Sequence, residues 1–136
     1  MGGETEPIWM ADDEAATISA QSVALFGGLS GEVRDENLLK AAMARPLHKW
    51  HYDEPKPDIF TLAAAYCFGL VKGHPFHDGN KRTAYLVAII FLELNGYECA
   101  PDQTNIISTI LAAADGSIGE DQLAGWFAAN STVSER

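Results

Sequence analysis

The sequence predicts an all-α protein: one compact domain of about six helices. Apolar residues recur at helical spacing in successive stretches. Glycines, prolines and capping residues stand where those stretches must stop, and nothing reads as a sheet of three or more strands. At 136 residues, 47% of them hydrophobic, the chain can bury one core and is too short for two ordinary domains. The domain is assigned to residues 12–129, with flexible ends at 1–11 and 130–136.

The first helix is expected from Asp12, a good N-cap, to Phe26, where Gly27 and Gly28 stop it. The second follows Asp35, carries Leu38, Leu39, Ala42 and Met43 on one face, and should end near Arg45 because Pro46 cannot continue it. The segment from Pro46 to Pro57, with three prolines and both Trp50 and Tyr52, reads as an ordered loop or short hairpin. A third helix starts at Asp58 and runs to a C-cap at Gly73; it is apolar nearly all round and therefore central. The fourth begins near Asn80 and runs through Tyr85, Leu86, Val87, Ile89 and Phe91 to a stop at Asn95 and Gly96. A fifth spans about Gln103 to Ala114. The sixth opens with Ser117 three residues before Glu120, a capping-box pattern, and presents Leu123, Trp126 and Phe127.

Charge narrows the function classes. The net charge is −10, and between Thr83 and Glu135 there is no Lys or Arg against seven Asp and Glu, so this half offers no basic face to displace counterions from a duplex. Direct nucleic-acid binding is not expected. No stretch approaches the ~18 to 20 apolar residues of a membrane span. Met1, Gly2, Gly3 and Glu4 lack the regions of a signal peptide, so the expected location is the cytoplasm, with no membrane partner. Cys67 and Cys99 are read as free thiols, Cys67 buried among helix formers.

Polar, titratable residues gather between the two central helices, in His74-Pro75-Phe76-His77-Asp78-Gly79 leading into Asn80-Lys81-Arg82. Such a placement beside the densest part of the core is costly unless something uses it. Gly79 permits a tight backbone approach, and the free N–H groups of a first helical turn point outward with the positive end of the helix dipole. That makes a phosphate cradle containing two cations. Phosphoryl transfer needs a base near the acceptor hydroxyl, a carboxylate for Mg²⁺ and donors around the phosphates. His74 is the candidate base, Asp78 the candidate metal ligand, and Gly79, Asn80, Lys81 and Arg82 the candidate phosphate ligands.

Plainer readings compete at each position. His74 could be a satisfied core or cap histidine. Asp78 could be a turn residue or helix N-cap, and Lys81 and Arg82 solvated first-turn residues, although cations are disfavoured there without an anion. His77 could join His74 in an H-x-x-H metal site, but Pro75 keeps the pair off one regular helical turn. His48 and His51 read as solvent- or substrate-facing loop residues. Phe76 and Tyr85 read as core packing rather than catalytic groups.

The string HPFHDGNKR resembles the signature loop of the Fic/Doc family, whose Fic branch reads HPFxxGNGRxxR and whose Doc (death-on-curing) branch has Lys for the second Gly. The stretches GLSGEVRDENLLKAAMARP, LAAAYCFGLVKG and TAYLVAIIFLELNGY are also similar to Doc-type toxins, so the resemblance covers roughly residues 12 to 128. It implies a helical Fic/Doc fold and a toxin that transfers the γ-phosphate of ATP to a Ser or Thr hydroxyl of a translation factor such as elongation factor Tu. His74 then takes the place of the catalytic histidine, Asp78 of the Mg²⁺-linked acid, and Asn80, Lys81 and Arg82 of the nucleotide-phosphate ligands. Phe76 takes the place of the aromatic that anchors the loop. Lys81 in place of glycine, and Tyr85 where Fic has its second arginine, argue against ordinary adenylyl transfer. Adenylyl transfer stays open as an alternative, as does a non-catalytic co-repressor that binds the antitoxin. Many Fic proteins carry an inhibitory helix, [S/T]xxxE[G/N]. The only Glu here before Gly or Asn is Glu36, with Glu32 four residues earlier, so inhibition is expected in trans from a Phd-like antitoxin segment that folds on binding.

Overall fold

A computed structural model of the chain describes residues 5–135, and the signal-peptide argument on Met1 to Glu4 lies outside them. Six helices and one pair of short strands form the domain: α1 (Asp12–Phe26), α2 (Glu36–Tyr52), α3 (Ile59–Gly73), α4 (Asn80–Leu94), β1 (Tyr97–Cys99), α5 (Gln103–Asp115), α6 (Glu120–Ala129) and β2 (Ser131–Val133). The all-α class and the number of helices agree with the sequence. As its apolar circumference demands, α3 is central: it packs against α2, α4 and α6, and nine of its residues from Leu62 to Val71 are buried. The second core helix, α4, lies on α3 and receives α1 on another side.

The largest departure concerns α2. Pro46 does not end it; the helix continues to Tyr52, so the expected loop begins only at Asp53. A proline inside a helix costs about 3 kcal/mol. Here its ring and the Trp50 side chain are both buried, and burying roughly 200 Å² of an aromatic is worth about 5 kcal/mol. Lys49 adds ion pairs to Asp53 and Glu120, each at 3.8 Å. His48 and His51 consequently sit on the exposed side of a helix, not in a loop.

Several caps also differ. Asp35 caps α2 through Asn37 and Leu38 N–H (2.9 and 3.1 Å), and Asp58 caps α3 through Thr61 N–H (2.7 Å). Asp12, by contrast, is the first residue of α1 rather than its cap; Ala11 is the cap, and Glu14 accepts its N–H at 2.7 Å. At α6 the box is built from Gly119 and Gln122, at 2.9 Å, while Ser117 turns back to Asp115. The residue in the left-handed region after α3 is His74, one beyond the expected Gly73.

Described residues near both ends are docked on the rest of the fold. Ile8 exchanges backbone hydrogen bonds with the Asn95 amide (2.8 and 3.0 Å), Trp9 stacks on Phe91 at 6.0 Å, and Met10 N–H donates to the buried Tyr66 hydroxyl at 2.9 Å. Within the stretch read as a C-terminal tail, Ser131–Val133 pairs antiparallel with Tyr97–Cys99. Cys67 and Cys99 are both free thiols. No helix among the described residues is long and apolar enough to cross a membrane.

Candidate active site

The polar loop between α3 and α4 opens into a cleft of about 750 Å³, walled by the end of α1, the first turns of α4 and one face of α5. His74, Asp78, Gly79, Asn80, Lys81 and Arg82 all line it. Only six residues, His74 to Gly79, separate the two helices, so the loop is short and must be held from outside.

Its clamp is the α1–α2 connection, brought there only by the packing of the fold. His77 N–H donates to the Glu32 carbonyl at 3.0 Å, and Val33 and Phe76 form an antiparallel bridge. The N–H groups of Arg34 and Asp35 both donate to the Pro75 carbonyl, at 2.7 and 3.1 Å. Phe76 is buried beneath this pairing, and Asn80 closes it from inside, accepting from Phe76 N–H and donating to Phe76 C=O, each at 2.9 Å.

His74 is exposed, with φ 54° and ψ 51°, the left-handed conformation that histidine adopts more readily than most residues. Because the Asn80 amide is fixed by Phe76, its Nδ2 faces His74 Nδ1 at 3.3 Å. Asp78 is braced at both oxygens: Leu29 N–H donates to Oδ2 at 2.9 Å and Gly79 N–H to Oδ1 at 2.8 Å. Those two backbone donors, with smaller help from Arg82 and Lys81, hold its carboxyl below the ordinary value of 3.8, so it is ionised at neutral pH. Asp78 is not the α4 cap; Gly79 is, at φ 73°. The connection approaches Asp78 so closely that a Cβ on Gly28, itself at φ 134°, would stand 2.9 Å from Oδ2.

At the start of α4 the N–H groups of Asn80, Lys81 and Arg82 precede the first intrahelical acceptor and point out of the helix end. Lys81 is exposed and takes no hydrogen bond or ion pair among the described residues. Arg82 differs: its Nη1 donates to Ser22 C=O and Oγ (both 3.2 Å) and Gly27 C=O (3.3 Å), and its guanidinium lies 5.5 Å from the Phe26 ring centre. It therefore ties α4 to the end of α1 while still facing the cleft.

The rest of the cleft lining is apolar, a feature no local motif signals: Phe26 of α1, Tyr85 and Leu86 of α4, and Ile106, Ile107 and Leu111 of α5. Phe26, Ile107 and Leu111 remain 68%, 52% and 49% exposed and are gathered in one cleft, the grouping that marks a binding surface. Two of these belong to α5, and only the fold brings that helix opposite α4. Tyr85 lies half-buried against Trp126 at 6.3 Å, and burial pushes its hydroxyl up to about 12, so it is a neutral donor. His77, His48 and His51 do not line the cleft; His48 borders a separate hollow with Arg45, Lys49, Tyr52 and Asp53.

Among the described residues no three His, Cys, Asp or Glu side chains converge. Asp78 offers one ionised carboxylate with lone pairs left over after its two N–H bonds. Such a donor suits Mg²⁺, which takes one or two carboxylates and fills its other positions with water and phosphate oxygens.

Comparison with known proteins covers this region of the chain. The Fic/DOC family matches residues 11–92, from the start of α1 through the loop and nearly to the end of α4. The chain is 40% identical over 90 residues to Toxin Doc of Mycolicibacterium smegmatis, covering 66% of this chain and 68% of that protein. It is 30% identical over 115 residues to Protein kinase doc of Escherichia phage P1, covering 85% of this chain and 89% of that protein. With the family's matched region carrying the whole loop and both helices that hold it, the chain belongs to the Fic/DOC family and is similar to its Doc-type members.

Proposed function

We propose that the chain is the toxin of a toxin–antitoxin pair and transfers the γ-phosphate of ATP to a Ser or Thr hydroxyl of a translation factor similar to elongation factor Tu. The observation that carries the reading is one cleft holding an exposed His74, an ionised Asp78 and an unpartnered Lys81 at a helix N-terminus. The names of the two relatives, a toxin and a protein kinase, support the same class of activity.

The nucleotide phosphates lie against the N–H groups of α4's first turn, with Lys81 as a point charge and Arg82 holding the α1 wall in place. Asp78 is the residue that would hold Mg²⁺, which neutralises charge on the phosphate oxygens when bound. The acceptor hydroxyl comes to Nε2 of His74, because Nδ1 faces Asn80. That contact is long, and since Asn80 Nδ2 can only donate, it is given up when the ring takes the tautomer with its proton on Nδ1 and a free Nε2, the form that accepts the hydroxyl proton. The hydroxyl oxygen bonds to the γ-phosphorus, the bond from that phosphorus to the bridging oxygen of ADP breaks, and the hydroxyl proton passes to His74 Nε2 and then to water. A lysine where Fic has glycine fills the space against the helix end and holds a phosphate further out. The nucleotide then presents its γ- rather than its α-phosphate to the hydroxyl.

The exposed apolar wall supports a partner as well as a substrate. Phe26, Ile107 and Leu111 offer an amphipathic antitoxin segment a surface on which to fold across the cleft. Glu36, the one candidate for an internal brake, lies exposed at the start of α2 and does not line the cleft.

The test is transfer of label from γ-labelled and α-labelled ATP to lysate protein, run side by side. Wild type moves the γ-label; His74→Ala loses about 100-fold or more of that rate while remaining folded, if general-base catalysis is its main role. Lys81→Gly loses γ-transfer sharply. Movement of the α-label by wild type rejects the kinase reading in favour of adenylyl transfer, and movement of neither label leaves only the antitoxin-binding role.

A further inference from the structure

His74 is the only non-glycine residue at positive φ among the described residues. For an L-residue that conformation costs about 1 to 2 kcal/mol and persists only where the surroundings over-determine it. Three contacts restrain it. Its N–H donates to Leu70 C=O at 3.1 Å, which is ordinary helix closure, and the Asn80 contact to the ring is long at 3.3 Å. The third comes from across the fold: Arg34 donates to the His74 carbonyl from both Nε, at 3.1 Å, and Nη2, at 2.5 Å. It is charge-assisted, two-pronged and aimed at the carbonyl whose orientation defines ψ of His74.

The guanidinium also sits at the C-terminal end of α3, where a cation is favoured by the helix dipole. Arg34 itself is anchored, since its own N–H donates to Pro75 C=O at 2.7 Å. It is not part of the cleft wall, so it reaches the nucleotide and acceptor only through His74.

Resting on the reading of His74 as the base, we propose that Arg34 is a positioning residue: its two hydrogen bonds to the His74 carbonyl hold the left-handed backbone that points the imidazole into the cleft. Without them ψ of His74 relaxes toward the lower-energy regions and the ring swings with it. A displacement of about 1 Å in a catalytic group is enough to lose about 100-fold in rate. A lysine keeps the charge but only one prong.

The experiment uses the full chain as wild type, Arg34→Ala and Arg34→Lys. It combines γ-phosphate transfer kinetics with NMR of ¹⁵N-labelled histidine, the His74 ring signals being identified by their loss in His74→Ala. Because Arg34 is exposed and its backbone bond to Pro75 survives substitution, all variants should fold. Expected are a fall in kcat of about 10- to 100-fold in Arg34→Ala with KM for ATP changed less than about twofold, shifted or broadened His74 ring signals, and intermediate behaviour in Arg34→Lys. Wild-type kcat with unmoved His74 signals in Arg34→Ala overturns the proposal. So does a raised KM at unchanged kcat, which makes Arg34 a nucleotide ligand. Should wild type transfer no γ-phosphate, the kinase reading fails separately, and the ring signals alone decide: movement supports the clamp and its absence overturns it.

Discussion

Asp78 uses its two oxygens to join three parts of the molecule, because Leu29 lies in the α1–α2 connection, Gly79 caps α4, and the cleft takes what remains of its lone pairs. Its carboxyl is held below the ordinary 3.8, mainly by the Leu29 N–H. The unfolded chain therefore binds a proton here at a higher pH than the folded one. The stabilisation is fully present above about 3.8 and is lost as pH falls from there through the folded value. Asp78→Asn should flatten the acid limb of a denaturation-midpoint profile below about pH 4, and should weaken the Mg²⁺ dependence of label transfer. A metal titration that does not move would reduce Asp78 to a brace. Gly28→Ala tests the same bond from the other side. A methyl at positive φ and 2.9 Å from Oδ2 should destabilise the fold by about 1 to 2 kcal/mol, read from the urea midpoint, and should shift the Mg²⁺ response with it.

Among the helices, those with an Asp immediately before the apolar run begin where the sequence places them, since the side chain satisfies N–H groups that nothing else reaches. Asp58→Ala should cost about 1 kcal/mol by destabilising the first turn of α3, measurable as a lowered urea midpoint with the slope unchanged. The ends of α2 and α3 were less legible. A propensity rule stops α2 at Pro46, yet burial of Trp50 against Trp9, at 6.4 Å between rings, carries it onward. At α3 a glycine was the natural left-handed residue, and the position went to His74 because Arg34 and the loop pairing hold it there.

Across the whole molecule, the N-terminal segment acts as part of the core although it has no regular structure. Trp9 lies between Phe91 of α4 and Trp50 of α2, and Met10 is tied to Tyr66 of α3. Trp9→Ala should therefore lower stability by roughly 2 to 3 kcal/mol, less than full burial would give because the ring is partly exposed. The candidate loop joins α4 at Asn80, the end of that helix opposite Phe91, so γ-label transfer at a temperature where the variant is folded should be unchanged. An unaltered unfolding midpoint would show that the segment is only laid on the surface.

The helical class, the two central helices and the gathering of His74 to Arg82 at the head of α4 were written in local sequence, because periodicity, caps and motif residues act within a turn or two of themselves. Even Lys81's exposure at a helix N-terminus followed from Gly79 and Asn80 beside it. What only the tertiary structure decided was everything that meets this loop from a distance. Leu29 on Asp78 and Arg34 on His74 cross 49 and 40 residues, and Phe26, Ile107 and Leu111 come from two other helices to line the same cleft. Those contacts depend on how α1, α4 and α5 pack, and no spacing along one chain segment encodes the packing angle of another.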